Sequence, residues 1–136
     1  MGRHRILVAD DHRSIHAIVR RILEPDFDVI ACVPGGPELL TLAPAHQPDV
    51  LIVDVCMAGG GGIEVVRSLY AVPEAPRWQT VILTTYNDLG ILRETRNAGA
   101  LGYVLKCRAG EELPTAVRAV LLGREFVSPA VLHRAS

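Results

Sequence analysis

Lysine is almost absent from this chain. Of 14 basic residues thirteen are arginine, and Lys106 is the only lysine. Long apolar runs are absent as well. No stretch approaches the ~20 residues of a membrane-spanning helix. The start, Met1-Gly-Arg-His-Arg5, enters a predicted strand without the apolar segment of a signal peptide. The expectation is a cytoplasmic protein with no membrane partner. The three cysteines, Cys32, Cys56 and Cys107, are odd in number and lack CxxC spacing. That argues against a disulfide framework and for free thiols in a reducing compartment. Charge imbalance is lacking too: the net charge is −1 and the pI about 6.5, so bulk charge makes no case for a nucleic acid or anionic membrane partner.

Several chemistry-bearing motifs are missing. The glycine run Gly59 to Gly62 is neither GxGxxG nor a P-loop, since no Gly-Lys-Ser/Thr follows. His12 and His16 stand four apart, a spacing able to bind zinc, but Arg13-Ser-Ile15 separates them and the glutamate of HExxH is absent. They read as a surface pair. No repeat or low-complexity segment appears. With 49% hydrophobic residues over 136, the chain reads as one ordered domain.

What is present is a series of apolar runs that end in polar chemistry. Ile6-Leu-Val-Ala9 ends in Asp10-Asp11, Val50-Leu-Ile-Val53 in Asp54, Val81-Ile-Leu83 in Thr84-Thr85, and Leu101-Gly-Tyr-Val-Leu105 in Lys106. Strands are predicted at 5–10, 27–33, 49–54, 80–84 and 101–106. The runs are nearly continuous rather than alternating, as in parallel strands buried on both faces. Helices are predicted between them. Arg13 to Leu23 places Ile15, Ile18, Val19, Ile22 and Leu23 on one stripe, and Pro25 stops it. Residues 37–46 form a second helix. Ile63 to Tyr70 form a third, ended by Pro73 and Pro76. Asp88 to Ala98 form a fourth, with Asp88 as N-cap and Gly99 as C-cap. Residues 111–122 form a fifth, with Pro114 in its first turn and Gly123 closing it. Trp78 and Phe27 are assigned to packing. Ser128-Pro129 has the form of an N-cap with Pro at N1. Two continuations of the tail stay open: a short sixth helix, or the approach to a further domain.

Five βα units in succession imply a parallel sheet with helices on both faces. Right-handed crossovers gather every strand's carboxyl end on one edge, where ligands bind in such sheets. Asp10, Asp11, Asp54, Thr84 and Lys106 therefore converge. Two adjacent acids and a third 43 residues later make a hard oxygen site of the kind that suits magnesium. A divalent cation and the Lys106 ammonium would offset the repulsion among three carboxylates. The glycines beyond Asp54 free the backbone to bend around a ligand.

Val8-Ala-Asp10-Asp11-His12, Asp54-Val-Cys-Met57, Leu83-Thr84 and Gly102-Tyr-Val-Leu-Lys106 resemble the receiver domain of bacterial two-component response regulators. The likeness covers residues 4–123. The Asp-Asp-His start and the tail Gly123-Arg-Glu-Phe-Val-Ser-Pro-Ala-Val131 resemble the LuxR/NarL-type subfamily. The resemblance implies a flavodoxin-like, doubly wound five-stranded sheet of order 2-1-3-4-5 with five helices. Residues 124–136 would be a tail or the start of a linker. By the same resemblance Asp54 is the phosphoacceptor, taking a phosphoryl group from a sensor histidine kinase. Asp11 binds Mg²⁺ directly, Asp10 through water, and the Cys56 backbone carbonyl is a third ligand. Lys106 and Thr84 hold phosphoryl oxygens, and Tyr103 swings inward as Thr84 moves. The fourth helix, fifth strand and fifth helix, residues 88–122, would then alter self-association.

The sequence departs from the family pattern at Ala58, Gly61, Thr85 and Cys107, and its four-glycine loop is expected to be mobile. None of these removes a reacting group. Such a chain is a phosphorylation switch rather than an enzyme, although it assists its own phosphorylation and dephosphorylation. Its output would be control of transcription through a DNA-binding domain; DNA contact does not lie in these residues, because no helix-turn-helix pattern follows Ser128. A stand-alone receiver in a phosphorelay is the alternative. A Mg²⁺-dependent aspartyl-phosphate phosphotransferase would carry an acid two residues after the nucleophile, where this chain has Cys56. A degenerate receiver serving only protein contact is opposed by the intact set of five polar residues.

Overall fold

A computed structural model describes residues 2–57, 60–72 and 76–133. The strands and helices follow the apolar runs. β1 (Arg5–Ala9), β2 (Asp28–Val33), β3 (Val50–Asp54), β6 (Gln79–Thr84) and β7 (Gly102–Leu105) are the five expected strands. They pair in parallel in the order β2-β1-β3-β6-β7, which is the expected 2-1-3-4-5. Between them come α1 (Arg13–Leu23), α2 (Gly36–His46), α3 (Gly62–Tyr70), α4 (Leu89–Ala98) and α5 (Ala109–Leu121).

The count is larger than expected. A two-residue strand β8 (Phe126–Val127) pairs in parallel with the outer edge of β7, making a six-stranded sheet, and α6 (Pro129–Leu132) follows it. Beyond Asp54, β4 (Cys56–Met57) and β5 (Gly60–Gly61) pair antiparallel as a small ribbon. Two of the four glycines thus form a strand and Gly62 opens α3. The expected loop mobility at Gly59, the departure at Ala58 and the helix stop at Pro73 lie outside the described residues.

The continuous apolar runs resolve into two faces by the two-residue period of a strand. Leu7, Ala9, Leu51, Val53, Ile82, Tyr103 and Leu105 face one way, and meet residues of α2, α3, α4 and α6. Ile6, Val8, Val50, Ile52, Val81, Leu83 and Val104 face the other way, and meet α1 and α5. Each fully buried aliphatic side chain contributes about 1.5–3 kcal/mol relative to exposure. Trp78 and Phe27 are buried, as assigned.

Several local expectations hold. The Asp88 carboxylate accepts from the Ile91 N–H at 3.0 Å, and Gly99 ends α4 at φ 105°. Others are corrected. On α1, Val19 and Leu23 are buried but Ile18 is 48% exposed, because the helix offers the sheet a narrower stripe than its apolar residues mark out. α5 starts at Ala109, so Pro114 lies inside the helix rather than in its first turn. A 3-10 turn at Lys106–Arg108 leads directly into that helix. Ser128 occupies the N-cap position of α6 with Pro129 following, as expected, but its hydroxyl makes no capping bond because it is engaged elsewhere.

Gly62 sits where the chain returns against β3. A Cβ there would lie 1.8 Å from the Asp54 carbonyl oxygen, whereas a Cβ on Gly110 would meet nothing within 4 Å. We expect Gly62→Ala to destabilise the fold by about 1–3 kcal/mol through forced backbone displacement. Gly110→Ala, in helical backbone, should stabilise it by roughly 0.5–1 kcal/mol. Urea unfolding of both variants checks the contrast; equal midpoints would contradict it.

Candidate functional site

The sheet's connectivity decides which side chains meet. The chain leaves β1 for β2 on one side and returns to β3 on the other. Asp10, just after β1, and Asp54, at the end of β3, therefore flank the point where strand order reverses. Lys106, just after β7, reaches back across β6 to join them. Its ammonium lies 2.8 Å from Asp10 Oδ2 and 3.3 Å from Asp54 Oδ2. Asp10 and Asp54 are 1% and 5% exposed. Removing the shared ammonium would leave two buried carboxylates uncompensated, a loss that typically costs about 3–5 kcal/mol.

Asp10 engages its two oxygens unequally: Oδ1 is hydrogen-bonded, while the buried Oδ2 is ion-paired without a hydrogen bond. Oδ2 faces Lys106, while Oδ1 accepts from the His12 backbone N–H at 2.9 Å. Asp11 is more open and lines a cleft together with His12, Asp54, Cys56, Thr85, Tyr86 and Lys106. One ligand atom each from Asp10, Asp11, His12 and Asp54 lies within 4.8 Å of the others. This is a compact, oxygen-rich donor set, which fits a hard divalent cation with some waters retained.

Burial pushes the Asp54 carboxyl above its usual range. The Asp10 charge pushes it further, while Lys106 and the Cys56 backbone N–H pull it back. Burial works against the Lys106 ammonium, but Asp10 and Asp54 outweigh that and raise its pKa. Two shifted groups facing one cleft mark candidate functional groups.

Thr84 ends β6 fully buried, with its hydroxyl accepting from the Tyr86 N–H at 3.1 Å. Tyr103, expected to move inward on switching, is already inward. It is 0% exposed, donates its hydroxyl to the Tyr86 carbonyl, and burial pushes its pKa up to about 12. The Cys56 thiol points to the Tyr86 hydroxyl at 3.6 Å. All three cysteines are free; Cys56 and Cys107 are exposed.

Two residues of this region escaped the sequence reading. His12 is exposed, as expected, but not idle: its Nδ1 lies 2.9 Å from Asp10 Oδ1 and 3.0 Å from Asp11 Oδ1, and His16 Nε2 meets the Asp10 carbonyl. Its adjacency to Asp10-Asp11 was the signal available. Tyr86 joins Thr84, Tyr103 and Cys56 through its N–H, carbonyl and hydroxyl respectively. Only its place two residues beyond Thr84 hinted at that.

An edge-sited acid cluster with a strand-end lysine, on a parallel sheet of this order, has the form of a receiver domain. A family model described as the response regulator receiver domain matches residues 6–118, and the chain belongs to that family. Its relatives are regulators of LuxR/NarL type. It is 31% identical over 131 residues to the transcriptional regulatory protein DegU of Brevibacillus brevis, covering 95% of this chain and 55% of that protein. A two-component response regulator of the LuxR family from Aurantimonas sp. SI85-9A1 superposes with a TM-score of 0.89 at 30% identity, covering 97% of this chain and 94% of that one. The isolated receiver domain of RcsB from Salmonella enterica serovar Typhimurium, solved with the phosphomimetic BeF3⁻, gives 0.87 at 27% identity, covering 97% and 98%. The chain spans between 55% and 61% of the first curated relatives' own lengths. Among the described residues no helix is long and apolar enough to cross a membrane.

The raised pKa of Asp54 has a sign in stability. Its folded-state value lies above its unfolded one, so ionisation costs the fold free energy. Stability from this group is fullest below the unfolded pKa and falls as pH rises through the folded one. Asp54→Asn removes the penalty. In magnesium-free buffer the variant should unfold at higher urea than the parent at about pH 7, with the gap narrowing toward about pH 4. A variant less stable than the parent at neutral pH would refute this balance.

Proposed function

We propose that Asp54 is the phosphoacceptor of a two-component switch, loaded by a sensor histidine kinase. The observation that carries this reading is the shared ammonium. Lys106 stands 2.8 Å from Asp10 and 3.3 Å from Asp54 at the carboxyl edge of the sheet, beside an open cleft. A carboxylate oxygen of Asp54 attacks the phosphorus of a phosphohistidine. A P–O bond forms, the P–N bond breaks, and the imidazole leaves with the electron pair and takes up a proton. Lys106 then transfers its ammonium to a phosphoryl oxygen. Thr84 releases the Tyr86 N–H and donates its hydroxyl to another. Because Tyr103 is already inward, the Tyr86 loop rather than a tyrosine swing carries the rearrangement.

Mg²⁺ would sit between Asp11, Asp54 and the Cys56 carbonyl, with Asp10 behind a water. Bound there it neutralises charge on the phosphoryl oxygens. The burial of Asp10, against the openness of Asp11 to the cleft, supports that division. The same groups would serve loss of the phosphoryl group to water. An aspartyl-phosphate phosphotransferase is disfavoured, since Cys56 holds the position of its second acid.

The output we propose is transcriptional, through a DNA-binding domain in the longer protein of which this is the receiver. The site of action is the cytoplasm. Self-association would use the region 88–122. Its β7 edge is occupied by β8, so α4 and α5 beside the tail offer the surface.

Incubation with acetyl phosphate and Mg²⁺ should add one phosphoryl mass, and Asp54→Asn should abolish it. Lys106→Arg should slow loading and impair switching although charge is kept, because a planar fork does not replace a compact ammonium. Substantial labelling of the Asn variant, or parental behaviour of the Arg variant, would count against these roles. In a separate Mg²⁺ titration Asp11→Ala should weaken binding more than Asp10→Ala; the reverse order would exchange their assignments.

A further inference from the structure

We infer that Ser128 and Glu112 position Lys106, so that docking of the segment Arg124–His133 and loading of Asp54 stabilise each other. The inference rests on the phosphoacceptor reading of Asp54 and extends it to residues outside the motifs that carry that reading.

The segment is built into the sheet rather than laid on it. The Phe126 N–H donates to the Leu101 carbonyl at 3.0 Å, and the Ser128 N–H to the Tyr103 carbonyl at 2.8 Å. The next rung has no backbone acceptor, because the chain turns away into α6. The Ser128 hydroxyl supplies one instead. Its oxygen accepts from the Leu105 N–H at 2.9 Å, and the hydroxyl donates to Glu112 Oε1 on α5. Glu112 Oε2 in turn faces the Arg108 guanidinium at 3.3 Å. Ser128 is 0% exposed and Glu112 8%. A hydroxyl so deeply buried is costly unless both its donor and its acceptor capacity are used, and here both are.

This network touches the switch at two points. Leu105 is the residue immediately before Lys106, and Tyr103 holds the Tyr86 carbonyl. The backbone of both is held from outside by Ser128. Val127 and Val131 add apolar weight to the same face of the sheet, and Arg96 of α4 grips Glu125 through two 2.8 Å bonds. Among the described residues no other strand pairs with the outer edge of β7.

The sign of the coupling follows from the lysine. Without a phosphoryl group the Lys106 ammonium is shared between two carboxylates. With one, Asp54 presents phosphoryl oxygens and Lys106 gains a fixed anchor at the far end of its side chain. That restricts the Leu105–Lys106 backbone before the tail bonds to it, so ordering the tail costs less entropy. Reciprocity then requires a docked tail to favour the loaded site by the same factor. A tail without this link would be indifferent to the state of Asp54.

The test uses the full chain with beryllofluoride and Mg²⁺ as the probe of the loaded state. Two quantities are measured: beryllofluoride affinity, and amide exchange over 124–133. In the parent, beryllofluoride should slow tail exchange by at least about fivefold, the low end of common site-to-site couplings. Ser128→Ala should lose that response and bind beryllofluoride more weakly by a matching factor. Glu112→Gln, which keeps an acceptor for the hydroxyl, should retain most of both. Glu125→Gln loosens the tail from the surface without entering the core, and decides the matter if Ser128→Ala does not fold. It should show faster tail exchange and a smaller loss of affinity. Beryllofluoride binding in the parent with unchanged tail exchange and equal affinity in Glu125→Gln would overturn the inference and leave the phosphoacceptor reading standing. Failure of the parent to bind beryllofluoride at all would overturn both.

Discussion

Asp10 and Asp54 are buried at neighbouring strand ends, and like charges in that position cannot both stay ionised without a cation between them. Lys106 supplies it, reaching both carboxylates from a third strand end. Most of the local architecture follows from holding that ammonium in place. β6 must lie between β3 and β7 at a distance the lysine stem can span. The 3-10 turn after β7 must direct the side chain back over the sheet before α5 begins. The electrostatic cost of the cluster is visible in the raised pKa of Asp54, where burial and Asp10 outweigh the attraction of Lys106. On the reading proposed above, a divalent cation beside these carboxylates would relieve that repulsion.

The same constraint explains the composition. Arginine serves everywhere that a charge faces solvent or forks onto a carboxylate, as Arg96 does on Glu125. Lysine appears once, where a compact charge must meet two oxygens from separate strands at short range. A guanidinium has five donors in a fixed fork, and cannot satisfy them there without displacing one of the strand ends.

The tail enlarges the picture of a five-stranded sheet. β8 and the Ser128 hydroxyl complete hydrogen bonding on what would be an exposed edge, and exposed edges invite pairing with other chains. Covering β7 from within the chain leaves α4 and α5 as the free parts of the region 88–122. It also brings a buried serine and glutamate within one residue of the lysine at the centre of the site.

The sheet order, the five principal strands and the gathering of Asp10, Asp11, Asp54 and Lys106 were legible in the residues. Continuous apolar runs mark strands buried on both faces. Right-handed crossovers then leave little freedom in where their ends go. The caps of α4 were legible for a similar reason, since Asp88 and Gly99 act through their own backbone neighbourhood. What could not be read was whatever depends on residues distant in sequence. His12 is a surface residue, but only the fold sets its ring against two carboxylates, and Ser128 stands at a helix N-cap, but the pairing of β8 with β7 turns its hydroxyl elsewhere. Tyr86 carried no motif, and its part arises only because Thr84, Tyr103 and Cys56 converge on one loop. Periodicity and turn chemistry are local and travel with the sequence. The partner of a buried hydroxyl, or of an imidazole beside a buried carboxylate, is chosen by packing, after the elements are in place.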